Sequence, residues 1–126
     1  MNRITPAAAD KTELSAVVSN YLAASEARDI EAIVKCFSQD AEVLDEGNFI
    51  EGRDQIRRWR EDVAAAFEYT ATMTSVTALR EEKGTHRYAV CMHLEGNFPG
   101  GQADLNHTFA VRDEHIVSLR ILPASS

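Results

Sequence analysis

Asp45 is the residue of this 126-residue chain whose type and position best suit it to acid–base chemistry. It closes the alternation Ala41-Glu42-Val43-Leu44-Asp45, in which it shares parity with Ala41 and Val43. Because side chains alternate along a strand, a half-buried strand here directs Asp45 towards the core. A carboxylate in apolar surroundings loses hydration, which penalises its charged form and makes it a candidate general base. A strand-end aspartate that turns to water or caps a turn is the alternative.

Two further polar groups fall on faces that are otherwise apolar. His107 interrupts a predicted strand face formed by Leu105, Phe109 and Val111. Its imidazole is either a core group satisfied by one hydrogen bond or a pocket group that donates a proton or holds an oxyanion. Tyr21 lies on the apolar stripe of the first predicted helix, where its ring packs and its hydroxyl needs a partner.

The remaining polar clusters favour structural or solvent-exposed interpretations. His93 is predicted on the strand face opposite to His107, near Asp104, which indicates a surface pair. The four histidines show no ligand spacing, and no phosphate-binding motif is present, so we expect neither a metal nor a cofactor. An arginine run interleaved with acidic residues is typical of a solvated helix face. Its members are Arg53, Arg57, Arg58 and Arg60.

Length and charge restrict the class of protein. A chain of 126 residues fits one domain that can bury a core of its own. The net charge of -7 disfavours binding to nucleic acid and to anionic membrane surfaces. Cys36 and Cys91 have no metal-type spacing, and neither a signal peptide nor a long apolar run is visible. We therefore expect a cytoplasmic protein with two free thiols.

Three helices are predicted in the first half of the chain. Asp10 and Glu13 form a capping box for the first helix, Asp29 caps the second, and Asp54 is the expected cap of the third. Phe37 is expected on the inner face of the second helix. The apolar positions of the third helix are Ile56, Trp59, Val63 and Phe67.

Strands dominate the second half, from about residue 68 onwards. If Glu95 faces Gln102 across a glycine-rich loop, then Val90 faces His107 and the apolar faces of the two strands coincide. The last strand is expected to place three residues on one face, namely Val117, Leu119 and Ile121. Helices followed by a meander of long antiparallel strands indicate an α+β fold with helices covering one face of a curved sheet.

The chain resembles the nuclear transport factor two-like superfamily, and within it the SnoaL-like and ketosteroid isomerase-like proteins. The similarity runs from Tyr21 to Ile56 through Asp29-Ile30-Glu31-Ala32-Ile33-Val34, the segment ending at Asp45, and Glu51-Gly52-Arg53-Asp54-Gln55-Ile56. The ending Phe109-Ala110-Val111-Arg112-Asp113-Glu114-His115-Ile116-Val117 is similar to the last hairpin of the family. These motifs indicate the fold more strongly than any activity.

The resemblance implies a cone-shaped α+β domain in which three N-terminal helices pack on the concave face of a mixed or antiparallel sheet around a pocket. In ketosteroid isomerase-like members a strand-end aspartate is the base, and Asp45 matches it. Tyr21 matches a tyrosine that donates to the enolate oxygen. His107 takes the place of a second, protonated acid if the final hairpin is one residue shorter, whereas an ungapped match selects Thr108. The expected pocket lining is Trp59, Val63, Tyr88, Val90, Met92, Leu105, Phe109 and Leu119.

Three functions follow from this interpretation. An Asp/His pair suits a cofactor-independent isomerase, cyclase or lyase that acts on an enolisable carbonyl compound. A non-catalytic binder of an apolar, polyketide-like or steroid-like ligand is the second hypothesis, and a dimeric interaction module is the third. A pocket blocked by Trp59, Phe67 or Phe109 would favour the module. We expect a homodimer, with an arm at residues 1–9, a single SnoaL-like domain at 10–123 and a tail at 124–126.

Overall fold

The computed structural model describes residues 14–124, which form three helices and six strands. Along the chain these are α1 (Ala16–Ala27), α2 (Ile30–Lys35), β1 (Phe37–Asp45), β2 (Asn48–Glu51), α3 (Gly52–Ala66), β3 (Tyr69–Ala78), β4 (His86–Gly96), β5 (Gln102–Arg112) and β6 (His115–Pro123). The capping box expected at Asp10 and Glu13 lies outside the described residues. No helix of the described part is long and apolar enough to span a bilayer.

The six strands form one open, mixed sheet in the order β2-β1-β6-β5-β4-β3. Strands β1 and β6 run parallel, and the other neighbours are antiparallel. The helices pack against one face of this curved sheet, and the buried apolar side chains of both layers form a single core. The α+β architecture expected from the sequence is confirmed.

The register across the glycine-rich loop is confirmed. Glu95 pairs with Gln102, and Val90 pairs with His107. The apolar residues of β4 and β5 therefore share the inner face of the sheet, as a single buried face requires. Gly96 permits the close approach of β3, because a Cβ atom at this position would collide with the backbone oxygen of Glu68 and the Cβ of Tyr69.

Helix boundaries match the prediction at α2 and differ at α3. Asp29 caps α2, since its Oδ1 accepts a hydrogen bond from the Ala32 amide at 3.2 Å. The N-cap of α3 is Glu51 rather than Asp54, because the Gln55 side chain already accepts a hydrogen bond from the Glu51 amide at 2.9 Å. The third helix therefore begins earlier than predicted.

Three other expectations were wrong in detail. Phe37 does not lie on α2, which ends at Lys35; instead it opens β1, where it is fully buried. Phe67 follows the last residue of α3 in extended conformation. A register shift next to Val111 pairs that residue with Ile116, so Ile116 is fully buried while Val117 is half-buried. Such a bulge shifts the alternation by one residue.

Candidate functional site

A cavity of about 490 Å³ lies between the three helices and strands β3, β4 and β5. Its walls combine apolar side chains from both layers, among them Ile33, Met92 and Leu94. Tyr21 and His107 contribute polar groups to the same space. An apolar cleft with a few convergent polar groups is the usual form of a small-molecule site.

Tyr21 projects from α1 into the core beside the cavity, and its side chain is only 2 % exposed. Its ring packs edge-on against Phe37 and Phe109, with centroid distances of 5.6 Å and 5.5 Å. Burial raises the pKa of the Tyr21 hydroxyl, and the nearby Arg60 charge partly opposes this effect. The hydroxyl therefore stays protonated at neutral pH and can donate a hydrogen bond to a ligand.

Arg60 is the site residue that sequence reasoning missed. It was assigned to a solvated helix face, but its guanidinium lines the cavity, and its Nη1 lies 3.4 Å from the Tyr21 hydroxyl oxygen, to which it donates. The prediction was wrong because Arg60 is four residues after Ile56 and three before Val63, which places it on the inner stripe of α3. By contrast, Arg57 is on the outer side and pairs with Glu31 at 2.8 Å.

Arg60 retains its charge although it is half-buried. Desolvation acts to lower its pKa, but interactions with Tyr21, Tyr69 and Asp45 outweigh this effect and raise the pKa above its usual value. The face of the adjacent Trp59 ring supports the guanidinium at 5.1 Å from Cζ to the ring centroid. The cavity therefore holds a permanent positive charge.

His107 lines the cavity from β5, and its ring stacks on Phe109 at a centroid distance of 6.2 Å. Burial, with a smaller contribution from the Arg60 charge, lowers the pKa of His107 to about 4. The imidazole is therefore neutral at pH 7, and its buried Nδ1 has no hydrogen-bond partner among residues 14–124. Thr108, the alternative from an ungapped match, pairs with Ala89 and is not among the residues that line this cavity.

Asp45 lies at the end of β1, where it is half-buried, and it is not among the residues that line the cavity. The indole Nε1 of Trp59 donates a hydrogen bond to its Oδ2 at 3.0 Å. Asp45 pairs with Ile121 in β6, and Ile121 pairs with His107 in β5. Since adjacent strands are about 4.8 Å apart, the backbones of Asp45 and His107 are roughly 10 Å apart on the same face.

The expected pocket lining divides into two groups. Val63 and Met92 line the cavity. Trp59 does not, because it turns its indole to Asp45. The other five belong to the packed core or pack against it, outside the cavity wall. They are Tyr88, Val90, Leu105, Phe109 and Leu119.

His93 lies outside the cavity, in a surface cluster. Its predicted position on the strand face opposite to His107 is therefore confirmed. Its Nδ1 is 2.7 Å from Asp104 and its Nε2 is 3.0 Å from Glu95. These contacts, that with Asp104 foremost, raise the pKa of His93. Within residues 14–124, no group of three or more histidine, cysteine or acidic side chains has a geometry suited to a metal ion.

Solved structures support the fold. A proposed polyketide cyclase from Sinorhizobium meliloti is 29% identical, with a TM-score of 0.77 over 86% of this chain and 95% of that one. A Catenulispora acidiphila protein with a ketosteroid isomerase-like fold, in complex with trimethylamine, is 22% identical, with a TM-score of 0.68 over 88% and 87% of the two chains. TerC, co-crystallised with polyporic acid, is 18% identical, with a TM-score of 0.71 over 86% and 88%.

Sequence comparison gives the family directly. No protein with a curated description matches the chain. The sequence profile of the SnoaL-like domain matches residues 18–119, which is most of the chain and includes every candidate site residue. The chain therefore belongs to the SnoaL-like family.

Proposed function

We propose that this protein binds a small carbonyl compound in the cavity and catalyses proton transfer on it without a cofactor, with Asp45 as the base. The observation that supports this most strongly is the convergence of the Tyr21 hydroxyl and the neutral His107 imidazole on one largely apolar cavity. Both groups are held in place by packing before any ligand arrives. Preorganised donors of this kind stabilise negative charge that develops on an oxygen in the transition state.

The two donors suit an enolate. Tyr21 remains protonated because burial raises its pKa, and His107 remains neutral because burial lowers its pKa. The Arg60 charge beside them favours any negative charge that forms on the ligand oxygen. Since this charge is present in the transition state and not in a neutral ketone, the cluster would lower the barrier to enolisation.

Asp45 fits the role of base through its position and its support. The Trp59 indole fixes one carboxylate oxygen, and the other has no hydrogen-bond donor among residues 14–124 and can accept a proton. Asp45 is on the same sheet face as His107, with Ile121 between them. Because the α-carbon is bonded to the carbonyl carbon, a ligand whose carbonyl oxygen is at Tyr21 presents its α-carbon to Asp45 only if the carbonyl group itself lies between these two side chains, over Ile121.

Isomerisation, cyclisation and dehydration all begin with such a proton transfer. The 29% identical Sinorhizobium meliloti structure, a proposed polyketide cyclase, supports a ligand of the polyketide type. A non-catalytic binder is the second candidate, and it is favoured by one observation: Asp45 is not part of the cavity wall. The third hypothesis is a dimeric interaction module with a filled pocket. The open cavity does not support it.

A variant pair tests the proposed reaction. Asp45→Asn removes the base at constant size, and Glu42→Gln changes an exposed carboxylate on the same strand. Turnover of a panel of enolisable ketones should fall by about 10²- to 10⁴-fold in Asp45→Asn and stay unchanged in Glu42→Gln. Full activity of a folded Asp45→Asn protein would remove Asp45 as the base. Tight ligand binding by the wild type without turnover would favour the binder.

We also propose that the chain forms a homodimer through the exposed face of the sheet. Leu122 on β6 is 45% exposed and pairs with Asn106, on the sheet face that points away from the cavity. An exposed leucine on this otherwise polar face suits an interface between copies. Analytical ultracentrifugation of the wild type and of a Leu122→Glu variant tests this proposal, since the charge should weaken a dimer and leave a monomer unaffected.

A further inference from the structure

We infer that the ligand of this cavity carries a carboxylate that pairs with Arg60, so that the substrate class is a keto acid rather than a neutral ketone or ester. The inference rests on the proposed function for the carbonyl group. The carboxylate is an additional requirement, because it follows from the side chains that surround Arg60 in the cavity wall.

Arg60 is a half-buried cation whose Nε is fully buried, and it has no anionic partner among residues 14–124. Its guanidinium has no carboxylate oxygen within ion-pair distance among residues 14–124, whereas Arg57 on the same helix pairs with Glu31 at 2.8 Å. Its Nε is buried and makes no hydrogen bond in the described part of the chain. Its side-chain partners there are neutral phenol groups, namely the Tyr21 hydroxyl at 3.4 Å and Tyr69.

A desolvated charge with no opposite charge beside it is unfavourable. A buried charge is normally paired, because removing an ion from water costs several kcal/mol that only an opposite charge or good hydrogen bonds offset. The Trp59 ring compensates in part through a cation–π contact. An anionic ligand would supply the missing partner and use the unoccupied Nε donor.

The acidic residues near the cavity do not fill this role. Asp45 influences the charge of Arg60, but its Oδ2 is bound by the Trp59 indole and it does not line the cavity. Glu26 lines the cavity from α1 and is exposed to solvent. No carboxylate among residues 14–124 therefore pairs with Arg60, and an anionic ligand can supply the partner.

A carboxylate matches the unsatisfied groups better than a single carbonyl oxygen does. Arg60 alone presents two N–H donors, since its Nε has no partner among residues 14–124 and its Nη1 makes only the 3.4 Å contact to Tyr21. A carboxylate offers two oxygens and pairs with a guanidinium in a planar, bidentate geometry. A carbonyl oxygen elsewhere on the same ligand can then accept a hydrogen bond from the Tyr21 hydroxyl.

The test compares acids with their neutral counterparts in binding. The probes are para-acetylbenzoate and phenylpyruvate, each beside its methyl ester, and the readouts are isothermal titration and thermal shift. All measurements use both the wild type and Asp45→Asn, so loss of proton transfer does not affect them. We expect each acid to bind at least about 30-fold more tightly than its ester, as the cost of an unpaired buried charge implies.

Substitutions at two arginines of α3 show which residue causes the preference for the acid over its ester. Arg60→Gln should abolish the preference for the acid, Arg60→Lys should retain part of it, and Arg58→Gln, an exposed control, should leave it unchanged. If Arg60→Gln does not fold, the comparison of acid and ester on the wild type still decides the question. Equal binding of acid and ester, binding of neither acid, or an undiminished preference in folded Arg60→Gln would each overturn the inference.

Discussion

Asp45 and His107 flank the same residue, Ile121, in a row that crosses strands β1, β6 and β5. The two polar side chains therefore belong to one face of the sheet, but only His107 borders the cavity. Trp59 and Arg60, which are consecutive on α3, cover this row from the helix layer: Trp59 binds Asp45, and Arg60 contacts Tyr21. The proposed base and the Tyr21 donor are thus contacted by two adjacent residues of α3.

Removal of the Tyr21 hydroxyl tests its role as a donor. Tyr21→Phe keeps the ring that packs against Phe37 and Phe109, so the fold should be retained. Loss of one oxyanion donor typically costs about 10²- to 10³-fold in kcat, and we expect a reduction of this size. Steady-state kinetics with an enolisable ketone provides the measurement.

The matched control is Tyr88→Phe, because Tyr88 is also buried but does not line the cavity. It should leave kcat unchanged. Comparable kcat values for the two variants would show that the Tyr21 hydroxyl takes no part in the reaction.

Stability should depend on pH through His107. Its pKa is about 4 in the folded chain, against an ordinary value of 6.5. The unfolded chain therefore binds more protons between these two values, and stability falls as the pH drops through this window. Lowering the pH from 7 to 5 should cost about 2 kcal/mol through this residue alone.

Urea unfolding at both pH values measures this effect, with His107→Gln as the reference protein. Other titrating groups contribute equally to both proteins, so the difference between them isolates the imidazole. If His107→Gln loses as much stability as the wild type over this pH range, the imidazole is not held neutral by burial.

The β3–β4 contact should be sensitive to a single methyl group. Gly96→Ala places a Cβ against the backbone of Glu68 and Tyr69, which cannot yield as a flexible side chain would. We expect a loss of about 3 kcal/mol in the free energy of unfolding. In Gly47→Ala the new Cβ has no other atom within 4 Å. This variant should lose only about 1 kcal/mol of unfolding free energy, which is the strain of alanine at the positive φ of 94°. Equal losses in denaturant titrations would contradict this explanation.

Strand parity made much of the sheet predictable from the sequence. The pairing of Val90 with His107 follows from closing the glycine-rich loop between Glu95 and Gln102, and the requirement that two apolar faces coincide excludes a shift by one residue. The short hairpin partner β2 was missed because its four residues are too few to show an alternation. The register shift beside Val111 was missed because a bulge leaves no periodic signal.

The site was less predictable than the fold. Tyr21 and His107 stand out as polar residues on apolar faces, so their side chains could be assigned to the interior. Arg60 could have been recognised from its spacing to Ile56 and Val63, but the acidic residues around it suggested a solvated face. The separation of Asp45 from the cavity depends on the packing of Trp59 and Ile121, which no local pattern encodes.

A crystal structure of Asp45→Asn with a slowly converted keto acid would test the central claim most directly, because it locates the ligand relative to all four polar groups. We predict the ligand carbonyl oxygen at about 3 Å from the Tyr21 hydroxyl oxygen, within hydrogen-bond distance. The α-carbon should be about 3 to 3.5 Å from the side chain at position 45, as a near-attack geometry requires. A ligand held in the cavity with its α-carbon on the far side of Ile121 would contradict Asp45 as the base.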